Sequence, residues 1–347
     1  MSELKSLSVA ARVMIDMHAL NNEGSESNRL MTRQVGIVTQ GENEDGELGY
    51  QRSVVNAISG DMNKHIFGDH LRHIALDRGL PLCEACVDLD PSRMMANPGF
   101  EDWAKENKDN GAAIVNRLIS CVIDDVGGIL ITAGGNSIKR KSAVEFGWTV
   151  GLPGITEVQE FIHARHAVRR ITRTKVEDDR DKALAEKEAN TGQMIFNRPA
   201  SSGVYAFVAH VDVGAIGFND IAGRYPEEVE TYNGEHTITV DRAARLHAVL
   251  LALAQTLTHP KGALTSTQLP HVVGMEGFIS TSTSAASAPL LSPLTDDYVD
   301  RAHRVAGSLN ALYDDSVAVL PFAGQDGLLG QMSEVLGFYG PGRYGRR

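Results

Sequence analysis

Lys64 stands in a place where a helix would rather have an acid. The stretch Ala57-Ile58-Ser59-Gly60-Asp61-Met62-Asn63-Lys64-His65-Ile66-Phe67 sets a good N-cap, Ser59, ahead of apolar residues at helical spacing (Met62, Ile66, Phe67, Leu71, Ile74), so a helix should begin at Gly60. The first turn of that helix presents unpaired N–H groups and the positive end of the helix dipole. A lysine there opposes the dipole; a bound anion would relieve the conflict, and phosphate is the obvious choice. The plainer alternative is a helix that tolerates one badly placed lysine at a cost of roughly a few tenths of a kcal/mol.

Other residues could do other chemistry. Cys83-Glu84-Ala85-Cys86 follows the helix-ending Pro81, and a CxxC can be half a zinc site, with His70 and His73 on the preceding helix as further ligands. No second CxxC occurs and the spacing matches no common finger, so ordinary thiols in an insertion remain the alternative. Hydrolysis needs paired acids, or a nucleophile with its base. Asp124-Asp125 reads as a solvated polar edge at a helix end, Asp178-Asp179 lies in a charged run, and neither HExxH nor GxSxG occurs. Candidates for RNA contact, by contrast, recur: Asn21, Asn22, Arg29 and Arg33 in and around an amide-rich loop, the basic triplet Lys139-Arg140-Lys141 with Ser142 beside glycines, a basic block from Arg165 to Lys175, and Lys261. Binding is the better-supported class of function.

The elements that must position these residues are legible in outline. Residues 6–20 alternate, with Leu7, Val9, Ala11, Val13, Ile15 and Met17 on one side and Ser8, Arg12, Asp16 and His18 on the other, which predicts a strand with one buried face. Its polar side could be plain surface or an RNA platform. Residues 20–33 read as a loop, and 41–50 as an exposed acidic one. Val115, Leu118, Ile119, Val122, Ile123 and Val126 predict one amphipathic helix stopped by Gly127-Gly128. Further strands are expected at 129–133, 142–150, 205–218 and 317–321, and helices over 241–258 and from Thr295. Residues 279–293, rich in Ser, Thr and Ala, read as a flexible linker or loop, and the tail from Gly324 as glycine-rich. Residues 80–110 look like an insertion, and 155–200 like a protruding arm, for which a helical hairpin and an extended β-arm both fit.

The order strand, helix, strand, then strand, helix, strand predicts an α+β fold, an elaborated ferredoxin-like, RNA-recognition-type palm with a βαβ-βαβ antiparallel sheet. The 347 residues would form this single elaborated domain, carrying the 80–110 insertion and the 155–200 arm. With 42% hydrophobic residues the chain can bury a full core. No run of about 18 apolar residues and no signal-peptide design is present, so a cytoplasmic protein without a membrane partner is expected. The net charge of −11 argues against a surface coated all over with nucleic acid and leaves room for a local basic groove. Three cysteines, an odd number, fit reduced thiols.

Several of these stretches together resemble the DevR-type backbone subunit of type I CRISPR surveillance complexes (Cascade), a branch of the repeat-associated RNA-binding protein superfamily. They are SLSVAARVMIDMHALNN, SNRLMTRQ, AISGDMNKHIFGD, IKRKSAVEFGWTVGLP and QMIFNRPASSGVYAF, which follow the family's order over about the first two thirds of the chain. The resemblance implies a palm of which many copies line one guide RNA, each copy's thumb displacing one nucleotide from its neighbour's stack. Guide pairing to target DNA would then carry the sequence information. It implies that Ser59, Gly60, Asn63, Lys64 and His65 grip phosphates and sugars, with Arg12 under the RNA, Asn21, Asn22, Arg29 and Arg33 beside it, and Lys139, Arg140 and Lys141 across the groove. Met194 and Phe196 would lie at the thumb base, where simple packing is the alternative. Implied partners are guide RNA, the target DNA strand, copies of the chain itself, guide-end capping subunits, a large subunit, and a recruited effector nuclease or transposition factor. Interference and RNA-guided transposition both remain open as the outcome. No catalytic residue and no cofactor is expected, with zinc at Cys83 and Cys86 the exception left open. The rival function is a metal-dependent RNase or other metalloenzyme built on Cys83, Cys86, histidines and an Asp; Asp16 and Asp61 are the acids nearest the implied groove.

Overall fold

A computed structural model describes residues 3–26, 29–42, 48–135, 137–165 and 194–339. The first strand, β1 (Ser6–His18), lies in the middle of a mixed α and β architecture. Two hairpins follow, β2 (Asn22–Glu26) with β3 (Arg29–Thr32) and β4 (Gln34–Glu42) with β5 (Leu48–Ile58), and then helix α1 (Gly60–Asp77). A helical segment comes next: α2 (Glu84–Val87), α3 (Phe100–Glu106), α4 (Gly111–Ile119) and α5 (Val122–Gly127). The hairpin β6 (Ile129–Ile131) and β7 (Ile138–Arg140) leads into β8 (Val144–Phe146), β9 (Thr149–Arg165) and β10 (Met194–Asp212). The hairpin β11 (Glu228–Glu230) and β12 (Thr237–Thr239) precedes α6 (Arg242–Thr258). The described chain ends with β13 (His271–Ser282), α7 (Tyr298–Asn310), β14 (Val317–Ala323) and α8 (Gly324–Tyr339).

The main sheet runs β14-β13-β1-β10-β9-β5-β4, and β1 is antiparallel to both of its neighbours, β10 and β13. Strand β8 also pairs with β10. Odd-numbered residues of β1 (Leu7, Val9, Ala11, Val13, Ile15) and Tyr205, Phe207, Ala209 and Val211 of β10 form one core with Phe67, Leu71 and Ile74 of α1 and Leu246, Val249 and Leu253 of α6. The period-2 pattern of the strands thus meets the period-3.6 stripes of two helices on one face. Leu82, Cys83, Cys86, Met94, Phe100 and Ala104 join the same core, so residues 80–110 pack as a helical layer.

Several expectations fail for local reasons. Met17 does not continue the buried row: a register shift between Ile15 and His18 turns Met17 outward with φ 56° and His18 inward. Within 20–33, β2 and β3 pair as an antiparallel ladder where a plain loop is expected. The single helix expected through Val126 breaks at Ser120-Cys121, where Cys121 is extended (φ −104°, ψ 125°). Residues 279–293 are only in part the expected linker or loop: 283–293 hold no helix or strand, yet they are tied to the sheet. The first part of 279–293 is β13, and the rest lies on the second face of the sheet, where Ala288 N–H donates to Ser6 Oγ (2.9 Å) and Ser8 Oγ donates to Ala288 O (3.0 Å). There Ala10 and Phe278 pack with Tyr298 and Ala302 of α7. The tail from Gly324 continues as α8.

Of the 155–200 arm, the described part is an antiparallel ribbon paired from Glu157↔Ser202 out to Arg165↔Met194, about 27 Å at strand rise. That favours the extended β-arm over the helical hairpin; residues 166–193, with the remainder of the basic block, lie outside the described residues. Among the described residues no helix is long and apolar enough to cross a membrane.

His18 records the price of the bulge. It is 2% exposed, edge-on to Tyr205 at 5.0 Å, and its Nε2 has no partner among the described residues. Burial lowers its pKa from 6.5 to about 4. The unfolded chain therefore binds a proton that the folded one excludes, so this contribution is intact above about pH 6.5 and is lost as pH falls towards 4, by about 3 kcal/mol at full effect. Urea unfolding across that window should show a smaller acid loss for His18→Gln than for the wild type; parallel slopes would refute the assignment.

Candidate nucleic-acid interface

Helix α1 starts where its sequence predicts, and most of the polar groups there are spent on holding it in place. Ser59 is extended (φ −67°, ψ 155°), its Oγ accepting the Met62 N–H at 3.2 Å, while its own N–H donates to Asn21 Oδ1 at 2.7 Å. Asn63 Nδ2 donates to Thr149 Oγ1 (2.8 Å) and Gly147 O (3.1 Å). A Cβ on Gly60 would come within 2.8 Å of Phe146 O, so only glycine lets the helix approach the β8 backbone this closely. Asn21, Ser59, Gly60 and Asn63 are therefore positioning residues. Lys64 differs: it is half-buried, with burial first and Arg93 second lowering its pKa, and it has no hydrogen bond or ion pair among the described residues. His65, next to it, is exposed, and Asp61 sits in the first turn where the dipole favours an acid.

Further residues line the same rim. The Arg33 guanidinium lies over the Trp148 ring at 5.5 Å and 3.8 Å from Glu23, and the Arg33 carbonyl accepts from Ala57 N–H and Asn56 Nδ2. Trp148, 41% exposed, is a rim residue that the sequence does not single out, since alternation through 142–150 simply places it on one face with Phe146 and Val150. Gly147 separates β8 from β9 and breaks that alternation. Asn22 Oδ1 is buried with no partner among the described residues. Lys261 lies 3.5 Å from Asp69 of α1, and its loop reaches Asn21's neighbour, Ala263 N–H donating to Leu20 O at 3.1 Å. The structure thus gathers Asn21, Asn22, Arg33, Ser59, Gly60, Asn63, Lys64, His65 and Lys261.

Other predicted contacts lie elsewhere. Arg12 is on the second face, covered by the segment leading into α7: it donates to Asp296 (2.7 Å) and Pro293 O (2.9 Å) and lies 5.6 Å over the Tyr298 ring. The open platform expected beneath RNA is closed at that point. The basic triplet is split by the alternation of β7, which exposes Lys139 and buries Arg140 to 4%. Lys141 is exposed and paired with Glu145 at 2.7 Å; Ser142 Oγ donates to Val144 O. The side chains of Arg29, Arg165, Met194 and Phe196 lie outside the described residues.

Arg140 is buried because Asp125 is. The Asp125 carboxylate, fully buried, meets Arg140, Arg245 Nη1 (2.6 Å) and the Gly217 N–H (3.0 Å). Asp124 points the other way, where Cys83 Sγ and Cys86 Sγ stand 3.6 and 3.5 Å from its Oδ2 and Cys121 completes the cluster. Neither acid is a solvated edge. Burial pushes the Asp124 pKa up to about 7. His70 and His73 are not part of this cluster: His70 Nε2 is 2.9 Å from His259 O and His73 Nε2 is 3.3 Å from Asp69. With all four cluster residues at 0–1% exposure, there is no approach for a substrate, which removes the physical basis for a metalloenzyme centred on Cys83 and Cys86.

A family model described as CRISPR-associated negative auto-regulator DevR/Csa2 matches residues 9–303. The chain belongs to this family. The DevR/Csa2 chain is 25% identical over 316 residues to a "CRISPR-associated protein Cas7/Cst2/DevR" of Methanocaldococcus jannaschii, covering 88% of this chain and 90% of the relative. It is 24% identical over 321 residues to "CRISPR-associated protein Cas7/Csa2 1" of Saccharolobus solfataricus, covering 87% of each. A solved chain titled "CRISPR RNA-guided surveillance complex, pre-nicking" is 11% identical with a TM-score of 0.42, covering 89% of this chain and 90% of that one.

Removing the Asp125 carboxylate leaves two buried guanidinium groups uncompensated. Asp125→Ala in the DevR/Csa2 chain should lose about 3–5 kcal/mol of stability in chemical denaturation. Replacing Lys139, exposed on β7 beside Arg140, should change it by less than about 0.5 kcal/mol.

Proposed function

We propose that this DevR/Csa2-family chain is the guide-RNA-binding backbone subunit of a CRISPR surveillance complex, with the RNA backbone passing the start of α1. The observation that carries this reading is Lys64, a half-buried cation without a partner among the described residues, held at the fifth position of an 18-residue helix by neighbours whose own hydrogen bonds are satisfied. A phosphate there would meet the lysine, the helix N-terminus and the exposed His65 together. Arg33 stacked on exposed Trp148 extends the rim with a cation and an aromatic face, a pairing suited to single-stranded RNA.

The finer fold reading belongs to the same proposal. The order β13-β1-β10 with β8 and β9 beyond, and α1 and α6 in the two crossovers on one face, supports a ferredoxin-like palm. The β9/β10 ribbon is the candidate thumb, reaching from one copy towards the next. The subunit is non-catalytic in this reading, and its partners are guide RNA, the target DNA strand, further copies of itself, capping and large subunits, and a recruited nuclease or transposition factor.

Arg12 and Arg140 contribute to the fold in this scheme and make no RNA contact. The chain should be purified with a co-expressed CRISPR array, and its affinity for repeat-spacer RNA measured by fluorescence anisotropy over a range of salt. Lys64→Ala should weaken binding several-fold and make the slope of log K against log salt shallower by about 0.7, as loss of one phosphate contact to a single strand requires. Equal affinity and slope in variant and wild type would overturn the placement of the RNA.

A further inference from the structure

Two cysteines three residues apart, Cys83 and Cys86, meet the third, Cys121, from farther along the chain at one point. Cys83 immediately precedes α2 and Cys86 lies within it; Cys121 immediately precedes α5 and Asp124 lies within it. The two segments are the same device used twice, C-x2-C and C-x2-D, each turning from an extended residue into a short helix. Neither Cys83 nor Cys121 caps its helix through its side chain. Instead the three Sγ atoms and an Asp124 carboxylate oxygen all lie within 4.8 Å of one another. A tetrahedral zinc with Zn–S bonds of about 2.3 Å has ligand-to-ligand edges of about 3.8 Å, so the four donors need close by only about an ångström.

The carboxylate is the independent observation. Asp124 is fully buried, its Oδ1 has no partner among the described residues, and its Oδ2 meets only thiols. An isolated buried carboxyl is strongly unfavourable, whereas a buried carboxylate on a cation is a common solution. Asp125, beside it, already takes both nearby buried arginines, Arg140 and Arg245.

We propose that Cys83, Cys86, Cys121 and Asp124 bind one structural zinc ion. Three thiolates and a carboxylate fill a tetrahedron, which makes the site closed and non-catalytic. The zinc joins the start of α2 to the start of α5, at a place where Val122 N–H already donates to Pro81 O at 2.9 Å. It thereby fastens the helical layer that packs beside α1, directly behind the Asp125 ion network.

The full-length protein, purified without chelator, should contain one zinc per chain by elemental analysis, and X-ray absorption should show three sulfurs at about 2.3 Å and one oxygen at about 2.0 Å. Cys83→Ser should lose the metal. Asp124→Cys should keep one zinc with four sulfurs, a gain of ligand that tests the geometry even if Cys83→Ser fails to fold. Wild type and Asp124→Cys that are folded and both substoichiometric in zinc would overturn the proposal. So would iron with a visible chromophore, or a Cys83–Cys86 disulfide found by mass spectrometry.

Discussion

A fully buried carboxylate between two buried arginines organises this molecule. Asp125 belongs to α5, Arg140 to β7 and Arg245 to α6, and the Gly217 N–H adds the segment after β10. Arg140 also donates to the carbonyls of Ala215 and Phe218, and Arg245 to that of Ile119. Charges taken out of water are recovered only when geometry and hydrogen bonding are nearly complete, so such a network tolerates few alternative arrangements. Its elements are adjacent only if the helical layer, the β6/β7 hairpin and α6 all dock at once. We take it as a device of register more than of net stability.

The candidate interface depends on that docking. Helix α1 packs between the helical layer and α6, and its first turn abuts β8 through Gly60 and Asn63. The sheet therefore fixes where the helix begins, and the helix start fixes where Lys64 stands. Polar side chains around it divide by role. Those that satisfy backbone groups, Asn21 and Asn63 among them, are buried; Lys64, together with Arg33 beside Glu23 and Trp148, stays at the rim. Membership of the DevR/Csa2 family gives the rim a context, while the proposed phosphate contact rests on the rim's own atoms.

The elements with local causes were legible. Ser59 before an apolar series marks a helix start whatever surrounds it, because the cap is a bond to a backbone three residues away. The alternation of β1 marked the row that faces α1 and α6, although its other side is buried too from Ser6 to Ala10, and the helix expected over 241–258 is found as α6. Legibility failed where a partner comes from far along the chain. Arg140 reads as one of three basic residues until the pleat of β7 and the distant Arg245 and Asp125 are known. Cys121 reads as a member of an amphipathic helix until that helix is seen to break there. Residues 284–293 read as a flexible linker or loop because small side chains and prolines lack a periodic pattern, yet the backbone groups of Ala288 and Pro289 pair with the hydroxyls of Ser6, Ser8 and Ser280 on the sheet.

Sequence alone determined the class of the fold, the start of α1 and the family resemblance, since each is written in contiguous residues whose spacing matches a helix, a strand or a motif. Tertiary structure decided which charges are available. Arg140 is paired inside, Arg12 is covered and paired with an exposed acid, Lys64 is unpaired at the rim among the described residues, and Asp124 faces sulfur while Asp125 faces arginine. The reason is physical: desolvation and pairing depend on what packs against a group, and in this chain such partners can be 120 residues away, as Arg245 is from Asp125, or 284, as Asp296 is from Arg12.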